Sequence, residues 1–164
     1  MTLIHASVHR LHGCWPKNEA SGTVTLDFED RHRRRICLTT DQGEDVLLDL
    51  PGAVAMADGD ALQLQDGRWI EVKAAVEPVI EVTHKDAKKL TRVAWHLGNR
   101  HLPTQIDGLV LRIRPDHVIE AMLKGFGANL LAVRVPFQPE GGAYSNHGNH
   151  RDSHSDATVH GHEQ

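Results

Sequence analysis

Histidine dominates the end of this chain. Of its 13 histidines, five lie after residue 146 and alternate with polar residues and glycines: His147, His150, His154, His160 and His162. Neutral imidazole is the commonest metal ligand in proteins, and a short histidine-rich tract with few apolar residues is typical of a metal-binding segment. An ordinary solvated terminus and an expression tag are the alternatives, but a tag would be an unbroken run. We therefore predict a disordered, metal-binding tail.

A second candidate ligand, His101, follows a predicted helix. It lies after Gly98, where the helical pattern stops, and before Pro103, which restricts the next turn. A histidine on a short, rigid connection is presented to solvent or to another subunit. One imidazole is a poor metal site, but two copies related by a two-fold axis would supply two, and tail histidines would fill the remaining positions. His96, on the predicted helix itself, is interpreted as a structural surface histidine.

His117 is a secondary candidate, because it begins the second predicted helix directly after Asp116. The positive end of a helix disfavours imidazolium, so the ring stays neutral and able to bind metal. The same position suits an ordinary exposed residue.

Length and charge exclude several classes of protein. The chain has 164 residues, 40% of them hydrophobic, and a formal net charge of -4. This is enough for a real core, and it disfavours a nucleic-acid binder. The basic run of residues 31–35 has acidic neighbours and no interleaved aromatic residues, so we interpret it as a solvated hairpin. No apolar run has the length of a membrane span and no secretory signal is evident, so cytoplasm is the expected location.

Two cysteines are too few for a disulfide framework. Cys37 lies between Ile36 and Leu38, where a buried, reduced thiol is expected. Neither Cys37 nor Cys14 is predicted to bind metal.

The first part of the chain, residues 1–76, is predicted to be a small all-β domain, either a barrel or a sandwich. Six short strands are separated by turn signals such as Asp66-Gly67, and in Val24, Leu26 and Phe28 apolar residues recur at period two. The predicted strands are residues 3–8, 23–28, 36–40, 46–50, 61–65 and 69–74.

Residues 77–137 are predicted to form a ferredoxin-like βαββαβ domain, which makes the fold class α+β. Thr83 and Asp86 resemble a capping box at the start of the first helix, and Gly98 is expected to end it. Asp107-Gly108 predicts a tight hairpin, and Pro115 and the residue after it open the second helix. Residues 138–164 are assigned to a linker and the tail.

Three segments, residues 97–105, 116–123 and 136–144, resemble motifs of the urease accessory protein family UreE. They contain Gly-Asn-Arg-His, Asp-His-Val-Ile and Gly-Gly-Ala-Tyr. The resemblance implies a nickel metallochaperone, not an enzyme. It further implies a homodimer with a peptide-binding-like N-terminal domain and a metal-binding C-terminal domain. Such a protein delivers Ni(II) to the urease apoprotein through the accessory GTPase, UreG.

The resemblance also implies site residues. The histidine of Gly-Asn-Arg-His, the central ligand of the family, is His101 here, and His147 and His150 are the nearest equivalents of the tail ligands. Some members have a second histidine two residues before the position of His117, where this chain has Pro115. The tail is sparser in histidine than that of some relatives.

Our hypothesis is that His101 from two subunits, with His147 and His150, holds one Ni(II), while the other tail histidines capture further ions. Zn(II) or Cu(II) would compete for such imidazole sites. A metalloenzyme is disfavoured because no H-E-x-x-H or comparable set occurs. A general nickel or zinc storage protein without a partner, and a peptide-binding chaperone with an incidental metal tail, remain alternatives.

Overall fold

The computed structural model describes residues 3–142 and contains two β-sheets and two α-helices. The fold is α+β, as predicted. An N-terminal β part is followed by a part that carries both helices. Among the described residues, neither helix is long and apolar enough to cross a membrane.

The N-terminal sheet has six strands, ordered β2-β6-β5-β1-β4-β3. All six were predicted from the sequence, within three residues at each end. The β1–β4 and β2–β6 pairs are parallel and the others antiparallel. The strands are β1 Ile4–Arg10, β2 Ala20–Leu26, β3 Arg35–Thr39, β4 Asp45–Asp49, β5 Ala61–Leu64 and β6 Trp69–Ala74, with short 3-10 turns at Lys17–Glu19 and Asp30–His32.

This sheet curls until its two edges meet at Asp41, just beyond β3. The Asp41 backbone N–H donates to the Thr23 carbonyl of β2 at 2.8 Å. The Asp41 carboxylate accepts from the Thr23 and Thr25 hydroxyls at 2.5 and 2.9 Å. The sheet thus encloses one apolar core, which includes Val24, Leu48, Leu62, Ile70 and Val72.

The second part has the predicted order βαββαβ and a four-stranded antiparallel sheet, β10-β7-β9-β8. This is the ferredoxin-like arrangement, in which each crossover helix lies against the sheet. Its elements are β7 Val76–Thr83, α1 Ala87–Asn99, β8 Gln105–Asp107, β9 Val110–Ile113, α2 His117–Gly125 and β10 Asn129–Pro136. One core joins the helices to the sheet, formed by Ile80, Val82, Leu90, Val93, Leu97, Leu111, Ile113, Ile119 and Leu123.

The start and the end of α1 differ from the prediction. Thr83 still belongs to β7, and Asp86 is the N-cap, its carboxylate accepting from the Lys88 N–H at 2.9 Å. Gly98 lies inside the helix, which continues to Asn99. The capping box was wrong because Thr83 pairs with Asn129 of β10 and so keeps an extended backbone.

An aromatic contact joins the two parts. Phe28, Val79 and Phe137 form a third buried cluster, in which the Phe28 and Phe137 rings lie 5.3 Å apart. The Phe28 N–H donates to the Glu77 carboxylate at 2.8 Å. Arg114 lies over the Phe28 ring, 4.8 Å from its centre. Phe28 therefore attaches the first sheet to the second.

Arg31 corrects the interpretation of residues 31–35 as a solvated hairpin. Arg33, Arg34 and Arg35 are exposed, but Arg31 is only 2% exposed. Its guanidinium donates to the carbonyls of Asp27, Met56 and Phe137. Burial lowers the Arg31 pKa from its usual value, opposed by the nearby carboxylates of Glu77 and three aspartates. The buried cation joins both parts of the fold.

Cys37 corrects a second expectation. Its thiol is free, as predicted, but it is exposed on β3, not buried. Its neighbour Leu38 takes the buried position, because successive side chains of a strand point to opposite faces.

Candidate metal centre

His101 has a left-handed backbone conformation. Its φ is 56°, and it is the one non-glycine residue with positive φ among residues 3–142. Two hydrogen bonds define the turn: His101 N–H donates to the Gly98 carbonyl at 2.9 Å, and Leu102 N–H donates to the Leu97 carbonyl at 3.1 Å. This pair is the Schellman motif, whose left-handed position is usually glycine.

Apolar packing on both sides of His101 explains why the turn forms without glycine. Leu97 is fully buried in the core of the second part, and Leu102 packs against the same core. Contact between these two positions commonly accompanies the motif. The left-handed conformation costs a residue with a Cβ atom about 1 to 2 kcal/mol. In return for this conformational cost, the turn carries an exposed imidazole at its tip.

The chain after His101 is also held in place. The Thr104 hydroxyl donates to the Leu102 carbonyl at 3.0 Å, and the Thr104 carbonyl accepts from the Glu140 N–H at 2.8 Å. Gln105 accepts from the Gln138 N–H at 3.0 Å. Residues 138–142, which we call the strap, therefore run beside the His101 turn.

A cleft of about 540 Å³ opens beside the turn. Three of its lining residues carry groups able to bind a metal ion: His101, Glu140 of the strap and His32 of the first part. We call it the His101 cleft. His32 is not among the ligands predicted from the sequence, because nothing in its local pattern reveals a neighbour so distant in sequence.

No group of three or more histidine, cysteine, aspartate or glutamate side chains within residues 3–142 is close enough together to hold a metal ion. His101 therefore needs ligands from another source to form a stable site. The five predicted tail ligands, His147, His150, His154, His160 and His162, lie outside the described residues.

His117 is exposed in the first turn of α2. The N-cap Asp116 accepts from the Val118 and Ile119 N–H groups at 2.9 and 3.1 Å. Asp116 thus accepts hydrogen bonds from these N–H groups at the start of the helix, and His117 takes no part in the cap. The His101 cleft is not lined by His117, so the structure does not bring the two predicted ligands into one cavity.

His96 is half-buried, and its ring stacks on Phe126 at 4.7 Å and meets Trp95 edge-on at 5.1 Å. These contacts agree with the structural role expected of it. Trp95 is 63% exposed, although it is a large aromatic residue. Together Trp95, His96 and Phe126 form an aromatic patch on the helical side of the second part, which we call the Trp95 patch.

Comparison with known proteins identifies similar chains over nearly the whole length. The N-terminal domain of the UreE urease accessory protein matches residues 1–75, and the C-terminal domain matches residues 77–163. Proteins named urease accessory protein UreE are 58% identical over 129 residues in Bradyrhizobium sp. (strain ORS 278) and 48% identical over 153 residues in Beijerinckia indica.

Coverage differs between these relatives. The alignment spans 79% of this chain but 61% of the Bradyrhizobium protein, whereas it spans 93% of this chain and 88% of the Beijerinckia protein. A protein of the same name from Rhodopseudomonas palustris (strain BisB18) is 59% identical over 77% of this chain and 60% of its own length. This chain thus matches about 60% of the length of two of these relatives.

Proposed function

This chain belongs to the UreE family of urease accessory proteins, and from that premise we propose that it binds Ni(II) through histidines and delivers it during urease maturation. The family consists of accessory proteins, which agrees with the expectation that the chain is not an enzyme. The observation that carries the proposal is the left-handed, exposed His101 at the end of α1.

The backbone of His101 supports a functional role for its side chain. Glycine would adopt this conformation at lower cost, so packing alone does not explain an imidazole here. Residues held in sparsely populated conformations cluster at functional sites. A hydrogen-bonded turn also fixes the backbone that carries the ring before metal arrives, which lowers the entropy cost of binding.

The proposed Ni(II) site is shared by two chains. Because His101 has too few neighbouring ligands in its own described chain, a second His101 across a two-fold axis would complete a pair. His147 and His150 would add two more imidazoles, and the remaining tail histidines would capture further ions. The exposed Trp95, on the helix that His101 terminates, offers apolar area for such a homodimer.

Imidazole ligands suit Ni(II), but they do not exclude other metals. Cu(II) binds nitrogen sites more tightly than Ni(II), and Zn(II) competes for them. We propose that geometry, availability and the receiving partner set the choice of nickel. The proposed partners are the accessory GTPase and the urease apoprotein, and the proposed location is the cytoplasm. The proposed domains are residues 1–76, 77–137 and 138–164.

Calorimetric titration of Ni(II) into the full-length protein and into His101→Ala tests the proposal, with light scattering on the same samples. We expect one tight site per two chains, lost in His101→Ala, while weaker tail sites persist. His117→Ala is the matched control and should keep the tight site. Equal binding by the full-length protein and His101→Ala would instead favour a storage protein that binds metal through its tail alone.

A further inference from the structure

His32 lies where two clefts between the parts of the fold meet. It lines the His101 cleft, together with His101 and Glu140. It also lines a second cleft of about 630 Å³, together with His9 and Glu140, which we call the His9 cleft. Both clefts include residues 139–142 of the strap. His32 and Glu140 therefore line both clefts, one of which also contains His101 and the other His9. We call the two clefts together the groove.

The His32 ring is oriented by its surroundings. Its Nδ1 lies 2.7 Å from the Phe28 carbonyl oxygen, and the ring lies 4.3 Å from the Phe28 ring. Because a carbonyl only accepts, Nδ1 carries the proton of the neutral ring and Nε2 keeps its lone pair. Metal-binding histidines are oriented in this way, with the other ring nitrogen donating to a carbonyl or carboxylate.

His9 shows the carboxylate form of the same arrangement. Its Nε2 lies 2.7 Å from Oδ2 of Asp60, which is only 1% exposed. The Asp60 carboxylate also accepts from the N–H groups of His12 and Ala57, at 2.9 Å each. An ionised carboxylate only accepts, so the His9 proton is on Nε2 and the lone pair is on Nδ1.

Glu140 lines both clefts and adds a negative charge on a strap whose backbone is held in place. Besides the Glu140 bond to Thr104, Gln138 ties the strap to both parts: its N–H donates to Gln105 and its Oε1 accepts from the Asp58 N–H at 2.8 Å. The Glu140 side chain is exposed. Carboxylate and imidazole are both ligands for first-row divalent metals.

We propose that the groove holds a second divalent-metal site, in which His32 Nε2 and the Glu140 carboxylate are the ligands. His9 is the ligand that the metal ion would reach next. It is separate from His101, and its few ligands make it a weak site from which metal leaves readily. Metal would pass along the strap from one imidazole to the next, between the two parts of a single chain. This inference goes beyond the proposed function, which assigns metal to His101 and the tail.

The test uses the full-length chain with His101 and the five tail histidines changed to asparagine. Asparagine tolerates the left-handed backbone at position 101. Paramagnetic Ni(II), added as NiCl2, is titrated while the histidine ring signals are followed by nuclear magnetic resonance. We expect the His32 signals to broaden at about one tenth of the Ni(II) concentration that His84 requires. His84 lies outside both clefts.

Two substitutions sharpen the result. Glu140→Gln removes the charge and should raise the Ni(II) concentration needed at His32 about 10-fold. Glu19→Gln is its matched control, because Glu19 is exposed and lies outside both clefts. His32→Phe keeps an aromatic ring against Phe28 but removes the proposed ligand. The remaining histidine of the groove, His9, should then no longer broaden at a lower Ni(II) concentration than His84.

Simultaneous broadening of His32 and His84 would overturn the site, and so would equal effects of Glu140→Gln and Glu19→Gln. Since this protein lacks His101 and the tail histidines, failure here leaves the proposed function intact. Loss of the tight site in His101→Ala tests that function independently.

Discussion

His101 occupies at the end of α1 the backbone position that Gly127 occupies at the end of α2. Their φ angles are 56° and 76°. Each N–H donates to the carbonyl three residues earlier, at 2.9 Å in both cases. The following residues, Leu102 and Ala128, donate to Leu97 and Leu123 at 3.1 Å. One chain thus contains two copies of the same turn, one with glycine and one with histidine.

This equivalence predicts opposite effects of substitution on stability. His101→Gly should be more stable than His101→Ala by about 1 kcal/mol, because glycine avoids the Cβ penalty of the left-handed conformation. Gly127→Ala should lower the free energy of unfolding by about the same amount, about 1 kcal/mol. A Cβ at position 127 would meet nothing closer than His84 Nε2 at 3.4 Å, so the cost there is conformational.

Urea unfolding of the three variants measures these differences. His101→Gly and His101→Ala both lack the imidazole, so their difference isolates the backbone. Equal midpoints for that pair would show that the turn at His101 carries no conformational cost.

Arg31→Met should destabilise the protein by about 3 kcal/mol, because the Met56 and Phe137 carbonyls lose a buried charged donor. Arg33→Met is the matched control in the same basic run. Arg33 makes an exposed ion pair with Glu29 at 3.4 Å, and such pairs contribute less than about 1 kcal/mol. Chemical denaturation compares the two variants, and equal losses would contradict a connecting role for Arg31.

Local patterns were sufficient for the strands but not for the connections between the two parts. Alternation and turn signals located β1 to β6, because half-buried strands show period two in any sequence context. Arg31 resembles its exposed neighbours in sequence. Its burial depends on the Phe137 carbonyl, a contact 106 residues away. The order of strands in the first sheet was not predicted either, because it also depends on contacts between residues far apart in sequence.

The candidate site was predictable in part. The position of His101 between a helix and Pro103 predicts an exposed residue. Its left-handed backbone was not predicted, because the sequence places the end of the helix at Gly98. The Schellman turn formed three residues later, where Leu97 and Leu102 both reach the core. The histidines at the groove, His9 and His32, had no local signal.

Asp41 should make the first sheet sensitive to acid. Hydrogen bonding from Thr23, and then from Thr25, lowers the Asp41 pKa below its usual 3.8, despite an opposing contribution from burial. A carboxylate with a lowered folded-state pKa contributes stability above its unfolded pKa, and the contribution is lost as the pH falls through the folded-state pKa.

Asp41→Asn should therefore lower stability at pH 7 and reduce its decline below about pH 4. Thermal unfolding between pH 7 and pH 2.5 measures both effects. Asp45→Asn is the control, since Asp45 also accepts from a threonine hydroxyl, at 2.8 Å, but does not join the sheet edges. Parallel pH profiles for wild type and Asp41→Asn would contradict the assignment.

Nickel binding at the proposed His101 site should weaken steeply in acid. Only the neutral form of imidazole binds metal, so protons compete with the metal ion for the ligands. If two imidazoles must each lose a proton, affinity falls by about 100-fold per pH unit once both are protonated in the free protein. Equilibrium dialysis against NiCl2 from pH 8 to pH 5 measures the slope. Undiminished retention at pH 5 would rule out imidazole-based capture.

Trp95→Ala should weaken the proposed homodimer by about 10-fold or more, because large aromatic residues at the centre of an interface contribute most of its affinity. Leu109→Ala is the matched control: Leu109 is 69% exposed, slightly more than Trp95, but lies in the β8–β9 turn. Sedimentation at several protein concentrations measures the dissociation constant for both variants. If Trp95→Ala dissociates no more readily than Leu109→Ala, the Trp95 patch does not form the interface. A second His101 would then have to approach across another surface of the protein.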